Sequence, residues 1–379
     1  MRVLIFTQQF GKLWSGVGTY ATNLVSGLEK RGVDVTVVCP SGMHSESGDF
    51  DIREVAIKGW EHKVNYWLPL AWRYAMVLRS VPASERFDLA HFTDAREALF
   101  ASRGAMPMVG TVNDYYPAAC PLNPLALKPH YAEWPARWAY WRGVRLLEPF
   151  AYRKLDAAIA NSDFVARILE KSYRIDRKSI EVINYGIDDS GVENTAELEG
   201  KPSVLFVGTN FQRKGLPDLI EAVSKARESS PEIMLHVVGD DPRRAVIEAT
   251  ASKLGVGGNI KFHGGLPNDE VRRMKPDVFA MPSLIEGFGI VFLEFMLAGV
   301  PVVGGRTGGT VELIEDGRNG FTIAPGDTGG LARKILKASE TGRPREKIIR
   351  EGLKTASKYT TDRMVDRTIL LYEKTVGGK

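Results

Sequence analysis

Cysteine is scarce in this 379-residue chain, which contains only Cys39 and Cys120. Two thiols make neither a disulfide framework nor a metal site of the usual spacing, so reduced, cytosolic thiols are the plain interpretation. An excess of charge of one sign is also lacking, since the formal net charge is +4. Charge alone therefore gives no indication of a nucleic-acid partner.

Long hydrophobic runs are absent as well. No stretch approaches the roughly 20 uncharged apolar residues that span a bilayer, and the best candidate, VNYWLPLAWRYAMVLRSV, is interrupted by Arg73 and Arg79. The amino terminus, MRVLIFTQQF, predicts a first β-strand rather than a signal peptide. We expect a cytoplasmic protein that does not cross the membrane, with peripheral contact at its inner face left open.

What the chain does contain is a regular alternation of apolar runs and helical segments. Its length predicts two domains of about 150–200 residues each. The alternation predicts parallel βαβ units with helices on both faces of each sheet. The predicted strands are residues 1–7, 33–40, 87–93, 107–114, 156–162 and 179–186, then 202–208, 233–239, 259–264, 277–283, 300–305 and 322–325.

An acidic segment without apolar periodicity, residues 188–201, predicts the linker between the domains. The amino-terminal domain is then residues 1–187 and the carboxyl-terminal domain residues 202–360. Residues 361–379 are typical of an amphipathic helix, which could pack back on the first domain. All seven tryptophans lie in the first 141 residues, so the two halves are expected to bind different partners.

The stretch EGFGIVFLEFMLAGVPVV places Glu286 and Glu294 eight positions apart. Glu286 follows a predicted strand, and ligands of open α/β sheets bind beyond the carboxyl ends of strands. Gly287 and Gly289 leave the backbone bare at a helix start, which favours an anion. Glu294 would lie about 12 Å further along the helix. Either the two carboxylates bind opposite ends of a nucleotide sugar, or they are paired inside the protein.

Two other loops also follow predicted strands. VLFVGTNFQRKGL places Arg213 and Lys214 where two cations could neutralise a departing diphosphate, although a basic pair in a surface loop is often merely solvated. SGVGTY places Gly16 and Gly18 at the start of the first helix, which suits close approach of a phosphate or sugar. This loop lacks the full G-x-G-x-x-G spacing of dinucleotide binders.

Together these segments resemble a known family. The run PSLIEGFGIVFLEFMLAGVPVVGGRTGGTVELIEDGRNGFTIAPGD is similar to the signature region of the retaining GT-B glycosyltransferases. That family includes sucrose and glycogen synthases and many bacterial mannosyl- and glucosyltransferases. The amino-terminal glycine loop, FVGTNFQRKG, KFHGGL and the E-x7-E segment occur in the family order. The resemblance spans essentially the whole chain and is most specific in the carboxyl half.

The resemblance implies an α/β protein of the GT-B fold, with two Rossmann-like domains facing across a cleft. It implies transfer of a sugar, with retention, from a UDP- or GDP-sugar to a hydroxyl of a saccharide or lipid-linked glycan. Family members usually need no metal or cofactor, because a basic pair and a helix dipole take the metal's place. The chain accordingly shows no Cys/His/Asp cluster with ligand spacing.

The same resemblance implies individual roles. Arg213 and Lys214 correspond to the phosphate-binding pair, Glu286 to the donor-sugar contact and Glu294 to the ribose ligand. The glycine loop near the amino terminus would close over the donor from the other domain. The implied donor-binding residues are Gly16, Gly18, Gly208, Arg213, Lys214, Glu286, Gly287, Phe288, Gly289, Ile290 and Glu294.

One position departs from the family pattern. Many members carry histidine and then aspartate after an amino-domain strand, whereas TVNDYYPAACP has Asn113 and Asp114 there. Both join Glu286, Arg213 and Lys214 as candidate catalytic residues. Asparagine can donate a hydrogen bond to a sugar hydroxyl but cannot act as a base. A front-face mechanism would survive the change.

Two alternatives to a transferase therefore stay open. One is a nucleotide-sugar epimerase of the same architecture, and the other is a catalytically silent protein that binds sugar nucleotides. His91, near the end of another predicted strand, is interpreted as structural rather than catalytic.

Residues 128–154 form an aromatic and basic stretch, KPHYAEWPARWAYWRGVRLLEPFAYRK. Three tryptophans recur in it at helical spacing with arginines between them. They could contact an anionic membrane, pack in the core or stack on an acceptor sugar. The residues concerned are Trp134, Trp138, Trp141, Arg137, Arg142 and Arg145.

Overall fold

The structure is a computed structural model that describes residues 1–11, 16–44, 50–56, 67–82, 84–102, 106–119, 135–188 and 196–378. Cys120, Trp134 and residues 189–195 of the predicted linker lie outside the described residues, as do the side chains of Arg137 and Trp138. The chain divides into two compact units. With the gaps just given, the first unit takes residues 1–119, 135–186 and 360–378, and the second takes residues 187–359.

Within the described residues, seven strands form the sheet of the first unit. They are β1 (Arg2–Phe6), β2 (Asp34–Pro40), β3 (Asp51–Val55), β4 (Leu89–Phe92), β5 (Met108–Val112), β6 (Ala157–Ala160) and β7 (Ile180–Val182). All neighbouring strands are parallel, in the order β3-β2-β1-β4-β5-β6-β7. Apolar runs such as AAIA in β6 are buried throughout, as expected of strands covered on both faces. Strand β3 was not among the predicted strands, because the edge strand DIREV carries three charged residues.

Helices connect these strands. In the described ranges they are α1 (Gly16–Glu29), α2 (Trp67–Ser80), α3 (Tyr116–Ala119), α4 (Pro135–Tyr152) and α5 (Asp163–Tyr173), with short 3-10 helices at Ala95–Phe100 and Arg177–Ser179. Helix α5 begins where Ser162 accepts a hydrogen bond from the backbone N–H of Val165. A serine cap of this kind stabilises the first turn of a helix, which explains why α5 starts directly after β6.

In the second unit, six described strands form a second parallel sheet. They are β9 (Ser203–Val207), β10 (Met234–Val238), β11 (Ile260–Gly264), β13 (Val278–Met281), β14 (Val302–Gly305) and β15 (Phe321–Ile323), in the order β11-β10-β9-β13-β14-β15. A separate pair of short strands, β8 (Ala196–Glu197) and β12 (Met274–Lys275), is also parallel. Strand β8 falls inside the segment predicted as a linker, so the end of that segment is part of the second unit.

The described helices of the second unit are α6 (Leu216–Ala226), α7 (Arg244–Lys253), α8 (Asn268–Arg273), α9 (Ile290–Leu297), α10 (Thr310–Leu313), α11 (Thr328–Ser339) and α12 (Arg343–Ala356), with a 3-10 helix at Gly257–Asn259. In both sheets the chain first moves outward in one direction and then returns to the other side of the first strand. The prediction of two doubly wound parallel α/β sheets is confirmed.

The last helix, α13 (Thr361–Gly377), belongs to the first unit and packs against α1. The two helices approach closely at Gly27, where a Cβ atom would lie only 2.4 Å from Cγ2 of Val365. Arg31 adds ion pairs of 2.9 Å to Asp362 and 2.6 Å to Asp366. These contacts fix the carboxyl-terminal helix on the first unit.

His91 in β4 also joins α13 to the sheet. Its side chain is fully buried, with Nδ1 2.5 Å from the hydroxyl of Tyr372 and Nε2 2.8 Å from that of Thr111. Burial lowers the pKa of His91 to about 3, so the imidazole is neutral near pH 7. This environment agrees with the structural role expected from the sequence. Among the described residues, none of the helices has the length and apolar character needed to cross a bilayer.

Replacing Tyr372 with phenylalanine should destabilise the first unit. The change removes a hydroxyl from the buried contact with His91, and an unmatched buried hydrogen-bonding group costs about 1–3 kcal/mol. Urea denaturation would measure the change in the free energy of unfolding. Leu370→Ala, at a side chain 64% exposed on the same helix, is the control and should change stability by about 0.5 kcal/mol or less. Equal effects of the two substitutions would contradict the role given to the buried contact.

Candidate active site

The candidate site lies at the point where the strand order of the second sheet reverses. Strand β9 has β10 on one side and β13 on the other, and the loops after β9 and β13 leave the same edge of the sheet. Ligands of open α/β sheets bind at such a switch point. The predicted basic pair follows β9, and the predicted glutamate stretch follows β13.

Glycine allows these two loops to touch. Gly215 has a φ of 79°, and a Cβ atom on it would lie 2.1 Å from the carbonyl oxygen of Pro282. The backbone N–H of Leu284 donates to the carbonyl of Arg213 over 2.9 Å. Gly208 leaves room for the neighbouring lysine, since a Cβ on it would lie 3.3 Å from Cγ of Lys214. The loops are therefore joined through the backbone.

This contact brings the predicted cation and carboxylate together. Nζ of Lys214 lies 2.6 Å from Oε2 of Glu286, and the hydroxyl of Ser283 donates to the same oxygen over 3.2 Å. Glu286 is only 7% exposed. Burial would raise the pKa of its carboxyl, but the charges of Lys214 and Arg213, with hydrogen bonds from Lys214 and Ser283, lower that pKa overall. Glu286 is thus a buried, ionised carboxylate with cations beside it.

A third loop, between β14 and α10, closes around Glu286. The backbone N–H of Gly309 donates to the Glu286 carbonyl over 3.0 Å, and the hydroxyl of Thr307 donates to the Ser283 carbonyl over 2.8 Å. A Cβ atom on Gly309 would lie 2.1 Å from the carbonyl oxygen of Gly287. The hydroxyl of Thr310 is buried and has no hydrogen-bond partner among the described residues. Sequence reasoning missed this loop, although the glycines of GGRTGGT were a visible signal.

Helix α9 begins beside the ion pair. Gly289, with a φ of 96°, precedes Ile290, the first helical residue, and no side chain caps this end. The first N–H groups of a helix have no partner within it and carry the positive end of its dipole. Phe288 is buried, with its ring centroid 5.5 Å from that of Tyr359, and anchors the turn. The predicted distance of about 12 Å between Glu286 and Glu294 assumed that all the residues between them are helical. The structure corrects this assumption, because the helix starts at Ile290, four residues after Glu286.

Glu294 lies within α9 and is paired with Arg272 of α8. Its Oε1 accepts from Nη2 of Arg272 over 3.1 Å, and the two side chains are 21% and 26% exposed. Both glutamates are therefore paired inside the second unit, which is one of the alternatives that the sequence left open. A partly exposed ion pair is worth little in water, so a ligand could replace Arg272 as the partner of Glu294.

In the first unit, the predicted residues lie at the carboxyl edge of the first sheet. Gly16 and Gly18 occupy the first turn of α1, where the Gly18 carbonyl accepts from the Thr22 hydroxyl over 2.9 Å. Asn113 and Asp114 directly follow β5. These residues belong to the first unit, whereas the basic pair and the two glutamates belong to the second.

Asn113 is part of a chain of amide contacts that sequence reasoning missed. Asn184 Nδ2 donates to the Asn161 carbonyl over 3.0 Å, Asn161 Nδ2 to the Asn113 carbonyl over 2.7 Å, and Asn113 Nδ2 to the Thr93 carbonyl over 2.8 Å. The side-chain carbonyl of Asn113 also accepts from the Tyr185 hydroxyl. The chain ties together the ends of four neighbouring strands. An asparagine at or just after three successive strand ends was the signal for it.

Comparison with known proteins decides the family. Residues 14–190 match the family described as Glycosyltransferase Family 4, and residues 191–355 match Glycosyl transferases group 1. The chain belongs to the GT-B glycosyltransferases. Among relatives of this glycosyltransferase, 2-deoxystreptamine glucosyltransferase of Streptomyces kanamyceticus is 27% identical over 62% of the chain and 64% of that protein. Glycogen synthase of Mycobacterium tuberculosis is 26% identical over 95% of the chain and 92% of that protein.

The glycosyltransferase is also similar to solved structures. Anabaena HepE, in a crystal structure with UDP and glucose, superposes with a TM-score of 0.73 at 18% identity, over 99% of this chain and all of that one. This likeness establishes the fold. Within the described residues of the glycosyltransferase, no group of three or more His, Cys, Asp or Glu side chains is placed to hold a metal ion.

The Lys214–Glu286 pair should be strongly coupled. Lys214→Met leaves a buried carboxylate without its main partner and should destabilise the second unit by about 3–5 kcal/mol. Glu286→Gln in the same chain should recover part of that loss, because the unpaired charge is then gone. Urea denaturation of both single variants and the double variant would give the coupling.

Lys261→Met is the matched control, since Lys261 pairs with Glu199 at 3.5 Å and both side chains are more than half exposed. It should cost about 1 kcal/mol or less. The effect of Lys214→Met should also shrink as pH falls, because the lowered pKa of Glu286 gives stability that is lost when the carboxyl is protonated. Equal, small effects of the two lysine substitutions would show that the buried pair is not strongly coupled.

Proposed function

We propose that this protein transfers a sugar from a nucleotide diphosphate-sugar to a hydroxyl of a saccharide or lipid-linked glycan, with retention of the anomeric configuration. The buried Lys214–Glu286 pair at the switch point, with Arg213 beside it, is the observation that carries the proposal. It supports the proposal because it combines fixed positive charge, which would suit a departing diphosphate, with a fixed carboxylate, which would suit the hydroxyls of a donor sugar.

The diphosphate would bind at the positive end of the site. Arg213 and Lys214 supply two charges, and the uncapped start of α9 at Ile290 supplies N–H groups and a helix dipole. Negative charge grows on the diphosphate as the glycosidic bond breaks, so preorganised cations stabilise the transition state more than the ground state. Bound in this way, the diphosphate would need no metal ion, and we propose that the reaction uses no cofactor.

The donor sugar and ribose would bind at the two glutamates. Glu286, held in place by Lys214 and Ser283, can accept hydrogen bonds from hydroxyls of the sugar. Glu294 can exchange Arg272 for the vicinal hydroxyls of the ribose. HepE binds UDP and glucose, and the relatives named above include a glucosyltransferase and a glycogen synthase, which supports a hexose and a nucleotide diphosphate here. Both UDP and GDP remain candidates for the nucleotide.

The chemical step we propose takes place on one face of the sugar. The bond from the anomeric carbon to the phosphate oxygen breaks as the acceptor oxygen attacks the same face, and the departing phosphate oxygen takes the acceptor proton. No side chain has to act as a base, so Asn113 is compatible with activity. One amide hydrogen of Asn113 is bonded to the Thr93 carbonyl, and the other could donate to a sugar hydroxyl. We propose Asp114 as a further contact on the acceptor side, with the reaction taking place in the cytoplasm.

Calorimetric titration of UDP, GDP and ADP without metal, and then with magnesium, should identify the nucleotide. Glu294→Ala should weaken binding of the preferred nucleotide about tenfold or more, because it removes charged hydrogen bonds to the ribose. Glu248→Ala is the control, since Glu248 forms a comparable helix ion pair with Arg244 at 2.8 Å. Equal binding by wild type and Glu294→Ala would refute the ribose assignment. Binding of no nucleotide would refute the donor site itself.

Glu286→Gln should chiefly impair turnover. We expect nucleotide binding close to that of the wild type and a loss of about 100-fold in rate, the usual effect of removing one preorganised polar contact. Release of nucleotide from the donor with a panel of glycan acceptors would measure the rate, and NMR of the product would report its anomeric configuration. Products formed from the donor alone would favour an epimerase. Nucleotide binding with no turnover would favour a silent binding protein, and an inverted product would refute retention.

A further inference from the structure

In the second unit, an arginine occupies the carboxylate that we assign to the ribose. Glu294 on α9 accepts a hydrogen bond from Arg272 on α8, with Oε1 and Nη2 3.1 Å apart. Among the described residues, no second hydrogen bond or ion pair joins either side chain to another residue. The contact is also a single hydrogen bond, without the two parallel bonds of the strongest arginine–carboxylate pairs. The pair is therefore one that a ligand can open.

The backbone is fixed on both sides of this pair. Leu293 and Phe295, on either side of the glutamate in α9, are buried. Val271, before the arginine in α8, and Met274, directly after that helix, are buried as well. An exchange of partners therefore needs only rotation of two partly exposed side chains, which is a fast motion in proteins.

Arg272 and a ribose would use the same acceptor. An ionised carboxylate accepts hydrogen bonds at both of its oxygens and donates none. The two neighbouring hydroxyls of a ribose suit these two oxygens, and in the free protein the guanidinium already holds Oε1 of Glu294. A bound nucleotide and the arginine therefore compete for one carboxylate.

We propose that Arg272 is a built-in competitor of the nucleotide, which holds Glu294 in the empty site and lowers the affinity for nucleotide diphosphates. The guanidinium leaves Glu294 when the ribose binds and returns to it when the nucleotide leaves. This inference rests on the proposed function, because the assignment of Glu294 to the ribose comes from there.

The sequence of α9 gives a reason for such a competitor. In IVFLEFML, Glu294 is the only charged residue, and its neighbours on both sides are apolar. A partly buried carboxylate without a partner is costly, so the arginine stabilises the empty site. The nucleotide diphosphate released after transfer carries the same ribose as the donor. A partner that returns to Glu294 therefore also favours release of the product.

The expected effect has a definite sign and size. Arg213 and Lys214 would add charge next to the diphosphate, so their removal should weaken nucleotide binding. Removal of Arg272 should instead tighten it, because the ribose then has no competitor. An ion pair between partly exposed side chains is weak in water and is screened by salt, so the gain should be about two- to fivefold at low salt.

Calorimetric titration of UDP and GDP into the full chain tests the proposal. Arg272→Met should bind the preferred nucleotide about two- to fivefold more tightly than wild type, and the difference should disappear as salt is raised. Arg272→Lys keeps a positive charge opposite Glu294 and should bind as wild type does. Arg318→Met is the matched control, since Arg318 pairs with Glu351 at 3.3 Å in the same unit and precedes β15, at the opposite edge of the sheet.

A double variant separates competition from a general change in charge. In the Glu294→Ala background, Arg272→Met should have no further effect on nucleotide binding, because no carboxylate is left to compete for. Partial misfolding does not explain tighter binding, since it would weaken binding. Urea denaturation of Arg272→Met should show a transition as cooperative as that of wild type.

Three results would overturn the proposal while leaving the donor site intact. Weaker binding by a cooperatively folded Arg272→Met would make Arg272 a contact of the nucleotide, and unchanged binding would give it no role in affinity. A gain of equal size in Arg318→Met, or in the Glu294→Ala background, would show that the effect is not competition for this carboxylate. Failure of wild type to bind UDP or GDP would refute the donor site of the proposed function, and this inference with it.

Discussion

The ion pair between Lys214 and Glu286 is the contact on which the candidate active site depends. Taking both charges out of water costs several kcal/mol for each ion, so the pair requires a surrounding structure that holds the two groups at 2.6 Å. Three loops provide that structure, and they can approach one another because glycines stand where any Cβ atom would clash, as at Gly215 and Gly309. The ion pair therefore depends on the glycines that let the three loops approach one another.

At the ends of β5, β6 and β7 the first unit uses neutral groups, although a buried ion pair between Arg96 and Asp94 follows β4. Its strand ends are joined by asparagine amides, among them Asn113, and its last helix is joined to the sheet through the buried His91. Neutral amides and a neutral imidazole avoid the cost of buried charge and still satisfy buried backbone groups. Four large apolar side chains of the same unit, on α2 and α4, are exposed to solvent: Trp72, Met76, Leu146 and Phe150. The two sheets share the order of their first six strands, and the first sheet adds a seventh at one edge.

Much of the fold followed from periodicity, because both sheets are parallel and their strands are continuous apolar runs bounded by turns. Strand β3 was missed, since an edge strand such as DIREV is half polar and has no such run. Strand β8, within the predicted linker, was missed because its two residues are exposed and paired only with β12. The loop around Thr307 and Gly309 was missed because its contacts join segments that are distant in sequence.

By itself, the sequence determined the doubly wound sheets, the family and the residue types offered at each strand end. Those properties depend on the periodicity of apolar residues and on the spacing of motifs, and both can be seen directly in the sequence. Only the tertiary structure decided that Lys214 is the partner of Glu286, that Arg272 is the partner of Glu294, and that Asn113 is tied to Thr93. It also decided which apolar side chains face solvent on α2 and α4. Partners and exposure depend on how segments far apart in the chain pack together, and no local pattern records that.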